Sequence, residues 1–243
     1  MCAEEGAENY SFSPPRSLRT LRLYNKVPKH LRCKIALSMN KTLFPVLLIL
    51  SLVSHAEATW TLQLATGAAY NFPTTLKIEE PGEENLSFTA HYTTHTFRSA
   101  PYYSVRIGRW QNNTAWEVEL THHKLYLTNL PPGIQQFNIS NGYSMLMLNR
   151  AWQYRAFNLR AGGGALIAFP ITTIQGVHTS GGYRLSGVAG QGSVEKRFYL
   201  GQNLFFAAEA KLTAAYASVD LKNAKAKIPN VALHGLAGLG YKF

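Results

Sequence analysis

The sequence predicts an all-β chain that closes as an eight-stranded antiparallel transmembrane up-and-down β-barrel. Three observations carry this expectation. Long stretches alternate strictly between two faces, connections alternate between short turns and long loops, and charge is scarce while aromatic residues are plentiful. Of the 243 residues, 15% are charged and 12% aromatic, where a soluble chain carries about 25% charged residues. A hydrophobic share of 46% is enough for a core, and the low charged fraction argues against intrinsic disorder. The mean hydropathy of −0.11 excludes a bundle of transmembrane helices.

The chain divides before its strands begin. Leu43 to Val53 is an eleven-residue apolar run, too short to span a bilayer as a helix. It follows Met39-Asn40-Lys41 and leads to Ser54-His55-Ala56-Glu57-Ala58. A basic start, an apolar middle and an A-x-A exit form a secretory signal peptide over 39–58, with Ala56 and Ala58 marking the cleavage site. Residues 1–38 are a basic, polar extension, and Met39 fits as an alternative start. Both cysteines, Cys2 and Cys33, precede the cut, so 59–243 needs no disulfide and offers no cysteine-based zinc site. The net charge of +11 falls to +7 over 59–243, with 16 Lys+Arg against 9 Asp+Glu.

From Thr59 onward period-two patterns replace any amphipathic helix. Trp60, Leu62, Leu64, Thr66, Ala68, Tyr70 and Phe72 share one face of the first strand. Leu204 to Ala217 and Val231 to Phe243 alternate in the same way. Such strands are at least twice the usual length. Short turns are expected at 111–114, 153–156 and 200–203, and long connections at 73–101, 125–136, 170–182 and 219–230. Eight strands follow, near 59–72, 102–110, 114–126, 137–151, 156–169, 183–198, 203–218 and 231–243. The stretches 74–80 and 86–97 read as a hairpin within the first long connection. The face opposite the bulky residues is rich in Gly, Ala, Ser and Thr and suits a narrow lumen. A soluble lipocalin-like barrel would place its apolar face inside instead.

Aromatic residues bunch at strand ends. Trp110, Trp116, Trp152, Tyr154, Phe157, Phe198, Tyr199, Phe205 and Phe243 lie near the short turns or the C-terminus and predict an interfacial girdle. Tyr70, Phe72, Tyr126, Phe137, Phe169, Tyr183 and Tyr216 mark the opposite ends. The terminal alternation Leu239-x-Tyr241-x-Phe243 resembles the signature by which the barrel-assembly machinery recognises outer-membrane proteins. With the signal peptide and eight strands, the chain is similar at class level to small Gram-negative outer-membrane barrels, the OmpX and OmpA-barrel group and the lipid A deacylase group. That resemblance implies export to the outer membrane, contact with its lipid and lipopolysaccharide, and assembly by the barrel machinery.

Candidate residues follow from the register. If Asn112-Asn113 is a two-residue hairpin turn, Arg106 faces Glu119, on the side shared by Glu117, Thr121 and His123. Such a cluster either locks the register or handles protons. His122 points to the other face, and His91 and His95 lie about 13 Å apart along an extended strand, so these histidines read as polar rim residues and no metal site is expected. The deacylase resemblance implies a His-x-Ser pair with an acidic helper. His178-Thr179-Ser180 is the one such tripeptide, with Glu195 as the candidate helper. The densest positive run, Lys222 to Lys227, suits lipopolysaccharide phosphates by charge, and Glu79, Glu80, Glu83 and Glu84 form an acidic counterpart.

The expected product is a monomeric outer-membrane barrel of 185 residues without an open pore, with a structural or surface-interaction role and no cofactor. A lipid A acyl hydrolase and a secreted soluble barrel for an apolar ligand are the alternatives. Nucleic acid is excluded as a partner, because the basic residues of 59–243 form no stripe and an exported barrel meets none.

Overall fold

The computed structural model describes residues 58–82, 84–97 and 101–243. The 1–38 extension and the signal segment up to Glu57, Ala56 included, lie outside the described residues. The described strands are β1 (Thr59–Phe72), β2 (Thr74–Glu79), β3 (Leu86–Ala90), β4 (Tyr92–Thr93), β5 (Tyr103–Gln111), β6 (Thr114–Leu127) and β7 (Ile134–Tyr154). They continue with β8 (Phe157–Ala168), β9 (Ile171–Ile174), β10 (Val177–Ser180), β11 (Arg184–Tyr199), β12 (Leu204–Asp220) and β13 (Lys225–Lys242).

Eight of these strands close a ring in the order β1-β5-β6-β7-β8-β11-β12-β13, and β13 returns to β1. Every neighbour is antiparallel, with β1 and β13 paired from Thr61↔Lys242 to Phe72↔Val231. Closure gives each of the eight ring strands a neighbour on both sides, a condition that hydrocarbon imposes; the short strands β3, β4 and β10 beyond the ring pair on one side. Trp60 and Phe243 complete the seam by exchanging two backbone hydrogen bonds of 2.9 Å.

Local chemistry sets the turns. Asn112 and Asn113 both adopt positive φ, 50° and 61°, as a type I′ hairpin turn requires. The resulting register pairs Arg106 with Glu119, Ile107 with Val118 and Val105 with Leu120. At the next short turn Arg155 takes φ 54° and joins Tyr154 to Phe157.

The opposite end is more regular than the sequence reading allows. The connection expected at 219–230 shrinks to four residues, since β12 runs to Asp220 and β13 begins at Lys225. The stretch 170–182 is a hairpin, β9 against β10, turned at Gln175-Gly176 and added to the start of β7. The β2–β3 hairpin pairs with the start of β13, and β4 pairs with the end of β6. These pieces form an extra tier of sheet at the long-connection end.

Polarity divides the barrel into two zones. Between the short turns and the middle, large apolar side chains point outward: Leu62, Leu64, Val118, Leu148, Leu212 and Leu233 are all exposed. Charged and amide side chains point inward and are buried, among them Gln63, Arg106, Glu119, Asn149 and Glu195. Toward the long connections the pattern reverses. Leu76, Ile78, Leu125, Phe137, Ile139, Tyr143 and Ile228 form a buried apolar core, while Lys225, Asp220 and Gln135 face outward. A wall against hydrocarbon and then against water produces this reversal. The eight-stranded fold is therefore a transmembrane barrel whose outer tier stands in water. Among the described residues no helix is long and apolar enough to cross a membrane; the crossing elements are strands.

Candidate functional site

The lower lumen is filled by a network to which the ring strands contribute across the barrel. Alternation puts Arg106 of β5, Glu117 and Glu119 of β6, Arg160 of β8, Glu195 and Arg197 of β11, and Glu209 and Lys211 of β12 on the inner face. Arg106 is its hub. Its Nε donates to Glu119 Oε2 at 3.2 Å, its Nη1 to Glu195 Oε2 at 2.9 Å, and its Nη2 to Glu209 Oε2 at 2.7 Å. Glu117 lies 3.7 Å from Arg106 Nε, so one guanidinium meets four carboxylates.

The remaining donors complete these carboxylates. Glu119 accepts from Ser104 at 2.7 Å, Asn149 at 3.0 Å and Gln191 at 2.7 Å, and it pairs with Lys211. Glu195 accepts from Gln63 and Arg160, both at 2.9 Å, and from Arg197 at 2.7 Å. Four glutamates thus face Arg106, Arg160, Arg197 and Lys211, and the charges of this layer balance. At the short-turn mouth the Arg197 guanidinium lies between the rings of Trp110 and Phe205, with centroids at 4.9 and 4.5 Å.

Above the network lies a layer of imidazole, phenol, hydroxyl and amide groups. His123 Nε2 sits 2.9 Å from Asn71 Oδ1, while His234 bonds Tyr102 Oη and Thr213 Oγ1, each at 2.9 Å. Arg106, Glu117 and Glu119 therefore share one network, and His123, on the same inner face, belongs to the next layer. Among the described residues no carboxylate bonds His123, and the four glutamates of the network are each held by cations. This arrangement suits a locked lumen rather than a proton relay.

The structure corrects several sequence-derived assignments. His178 and Ser180 lie on β10 in the outer tier, with His178 Nδ1 3.1 Å from Thr173 Oγ1. Glu195, fully buried between three arginines in the lumen, is not brought to them. Its parity with Gln191 and Ser193 already assigns it to the inner face. Trp110, Phe137 and Phe205 leave the expected girdles, because their parity also turns them inward; Trp110 Nε1 donates to Thr61 Oγ1 at 3.2 Å. The exposed girdle near the short turns holds Trp60, Trp116, Trp152, Phe157, Phe198 and Phe206, with Tyr241 and Phe243 at the seam. Leu239 and Tyr241 face outward on β13. In the expected phosphate-binding run, Lys227 is paired with Glu79, and Lys225 lies 3.9 Å from Asp220.

The sequence reading missed Arg160, Arg197, Glu209 and Lys211 as lumen groups. Their signal was available: single charges on the small-residue face of long strands. It also missed the partner of His122, whose Nδ1 lies 3.1 Å from Ser144 Oγ and whose ring stacks on Tyr103; both His122 and Ser144 are buried although their parity is outward.

An inside-out polarity around a charge-balanced lumen defines the class: a closed, lipid-facing eight-stranded β-barrel. Comparison with solved structures finds similar barrels at low identity. Neisserial surface protein A is 12% identical, with a TM-score of 0.39, covering 76% of this chain and 99% of its own. The attachment invasion locus protein of Yersinia pestis, in complex with the heparin analogue sucrose octasulfate, is 13% identical with a TM-score of 0.38, covering 77% and 99%. The outer membrane protease OmpT of Escherichia coli is 9% identical with a TM-score of 0.41, covering 78% and 98%. No protein-family model and no curated protein sequence matches the chain.

Proposed function

We propose that this protein is an integral barrel of the Gram-negative outer membrane, exported by its signal peptide, with a structural or surface-interaction role and no open pore. The observation that carries the reading is the reversal of polarity along the barrel. Over the half of the barrel nearer the short turns apolar residues face outward and polar ones inward, and toward the long connections an apolar core lies inside instead. The charge-balanced lumen and the apolar core above it support a closed barrel. Short turns then face the periplasm, and the outer tier meets lipopolysaccharide. Leu239, Tyr241 and Phe243 are the groups assigned to recognition by the barrel-assembly machinery, and the protein acts as a monomer. Unheated protein from detergent extracts is expected to migrate differently from boiled protein on a denaturing gel and to fractionate with the outer membrane. One unshifted band together with recovery from the soluble periplasm overturns the reading.

One observation favours lipid ester hydrolysis as a second reading. Ser144 and His122 form a hydrogen-bonded pair of the nucleophile–base type on adjacent strands β7 and β6, on the outward parity but buried, with Tyr103 stacked over the imidazole. Mass spectrometry of lipid A from cells producing the wild type or Ser144→Ala tests it. Loss of an acyl chain with the wild type, abolished in the variant, supports hydrolysis at this pair. Identical lipid A in both strains and in cells lacking the protein removes it.

A further inference from the structure

The outer wall near the short turns carries a second ordered arrangement, outside the lumen. Cross-strand register aligns Trp60, Arg109, Trp116 and Arg150 in one row over β1, β5, β6 and β7. Two residues further from the short turns, Leu62, Ile107, Val118 and Leu148 form a parallel row. Between the rows lies a groove of about 580 Å³, edged at the turn by Gln111, Asn112 and Thr114. A row of guanidiniums and indoles next to a row of aliphatic side chains follows the order of a phospholipid, with the headgroup at the boundary and acyl chains beneath.

Charge supports a specific occupant. Among the described residues no carboxylate lines the groove, since Glu117, the nearest in sequence, points into the lumen. Arg150 donates from Nη2 to Thr114 Oγ1 at 2.7 Å and stacks 5.2 Å from the centroid of Trp116, which fixes its guanidinium over the groove. Arg109 is exposed and makes no ion pair among the described residues. The two arginines stand two strands apart, about 10 Å between backbones, and both side chains are long enough to converge on one phosphate between them.

We infer that Arg109 and Arg150 form a site for the phosphate of an anionic phospholipid, whose acyl chains lie along Ile107, Val118 and Leu148. In the orientation proposed above this is a lipid of the periplasmic leaflet. The inference rests on the lipid-facing reading of the outer wall, and the bare alternative is two arginines that reach water independently.

Native mass spectrometry of the detergent-purified barrel tests the site, with a heat-shift gel first establishing that each sample is folded. The probes are phosphatidylglycerol and phosphatidylcholine of equal chain length. Wild type is expected to retain phosphatidylglycerol at least about fivefold more often, and the double variant Arg109→Gln/Arg150→Gln to retain both equally. Lys196→Gln, which removes an outward charge on β11 away from the groove, should keep the preference. Equal retention by folded wild type overturns the inference while leaving the membrane reading intact, as does a preference that survives in the double variant or disappears in Lys196→Gln. Retention of inorganic phosphate offered without lipid by the wild type, lost in the double variant, would identify a free-phosphate site and overturn the lipid assignment. A sample with no heat shift instead defeats the underlying barrel reading.

Discussion

Arg106→Met is expected to lower the unfolding free energy of the barrel in phospholipid vesicles by about 3–5 kcal/mol, the cost of breaking a buried charge pair from one side. Urea titration followed by tryptophan fluorescence measures it. Arg106 is almost fully buried and bonds Glu119, Glu195 and Glu209 while lying close to Glu117. Without it four buried glutamates face only Arg160, Arg197 and Lys211. Removing a matching acid should restore part of the loss, so Arg106→Met/Glu209→Gln is expected to be more stable than the single variant. A loss below about 1 kcal/mol in the single variant would show that the network contributes little.

Leu64→Arg is expected to cost about 2–4 kcal/mol in the same vesicles, the penalty for a cation near the middle of the lipid-facing wall. Leu64 is 59% exposed, and its cross-strand neighbours Val105 and Leu239 also face outward. On a soluble barrel an exposed leucine would accept arginine with a change within about 0.5 kcal/mol. An arginine at Asn223, in the connection beyond β12, should be tolerated in either case. Equal tolerance at both positions would therefore contradict a lipid-facing Leu64.

Alternation and turn chemistry made much of the fold legible. The predicted first strand, 59–72, coincides with β1, and Asn112-Asn113 supplied the register that pairs Arg106 with Glu119. Both depend on short-range rules: side chains alternate every residue, and a two-residue turn leaves one pairing. The extra hairpin of β9 and β10 was less legible, because four-residue strands carry too few alternations to separate from a loop. Trp110 and Phe205 were assigned by their closeness to turns, where parity was the better guide.

The lumen required a different kind of information. Residues Arg106 and Glu209 are 103 positions apart, and Lys211 reaches Glu119 across 92. Parity alone places each of them inside, but their level along the axis depends on the stagger accumulated around the closed ring. Eight long strands, the alternation of their two faces and the first hairpin's register were legible in the sequence, because those depend on neighbours in the chain. Only the tertiary structure decided that four glutamates and four cations share one layer, that His123 belongs to the next, and that Arg109 and Arg150 flank one groove. These relations arise from closure and from pairing between strands, which bring side chains together at heights that no local pattern encodes.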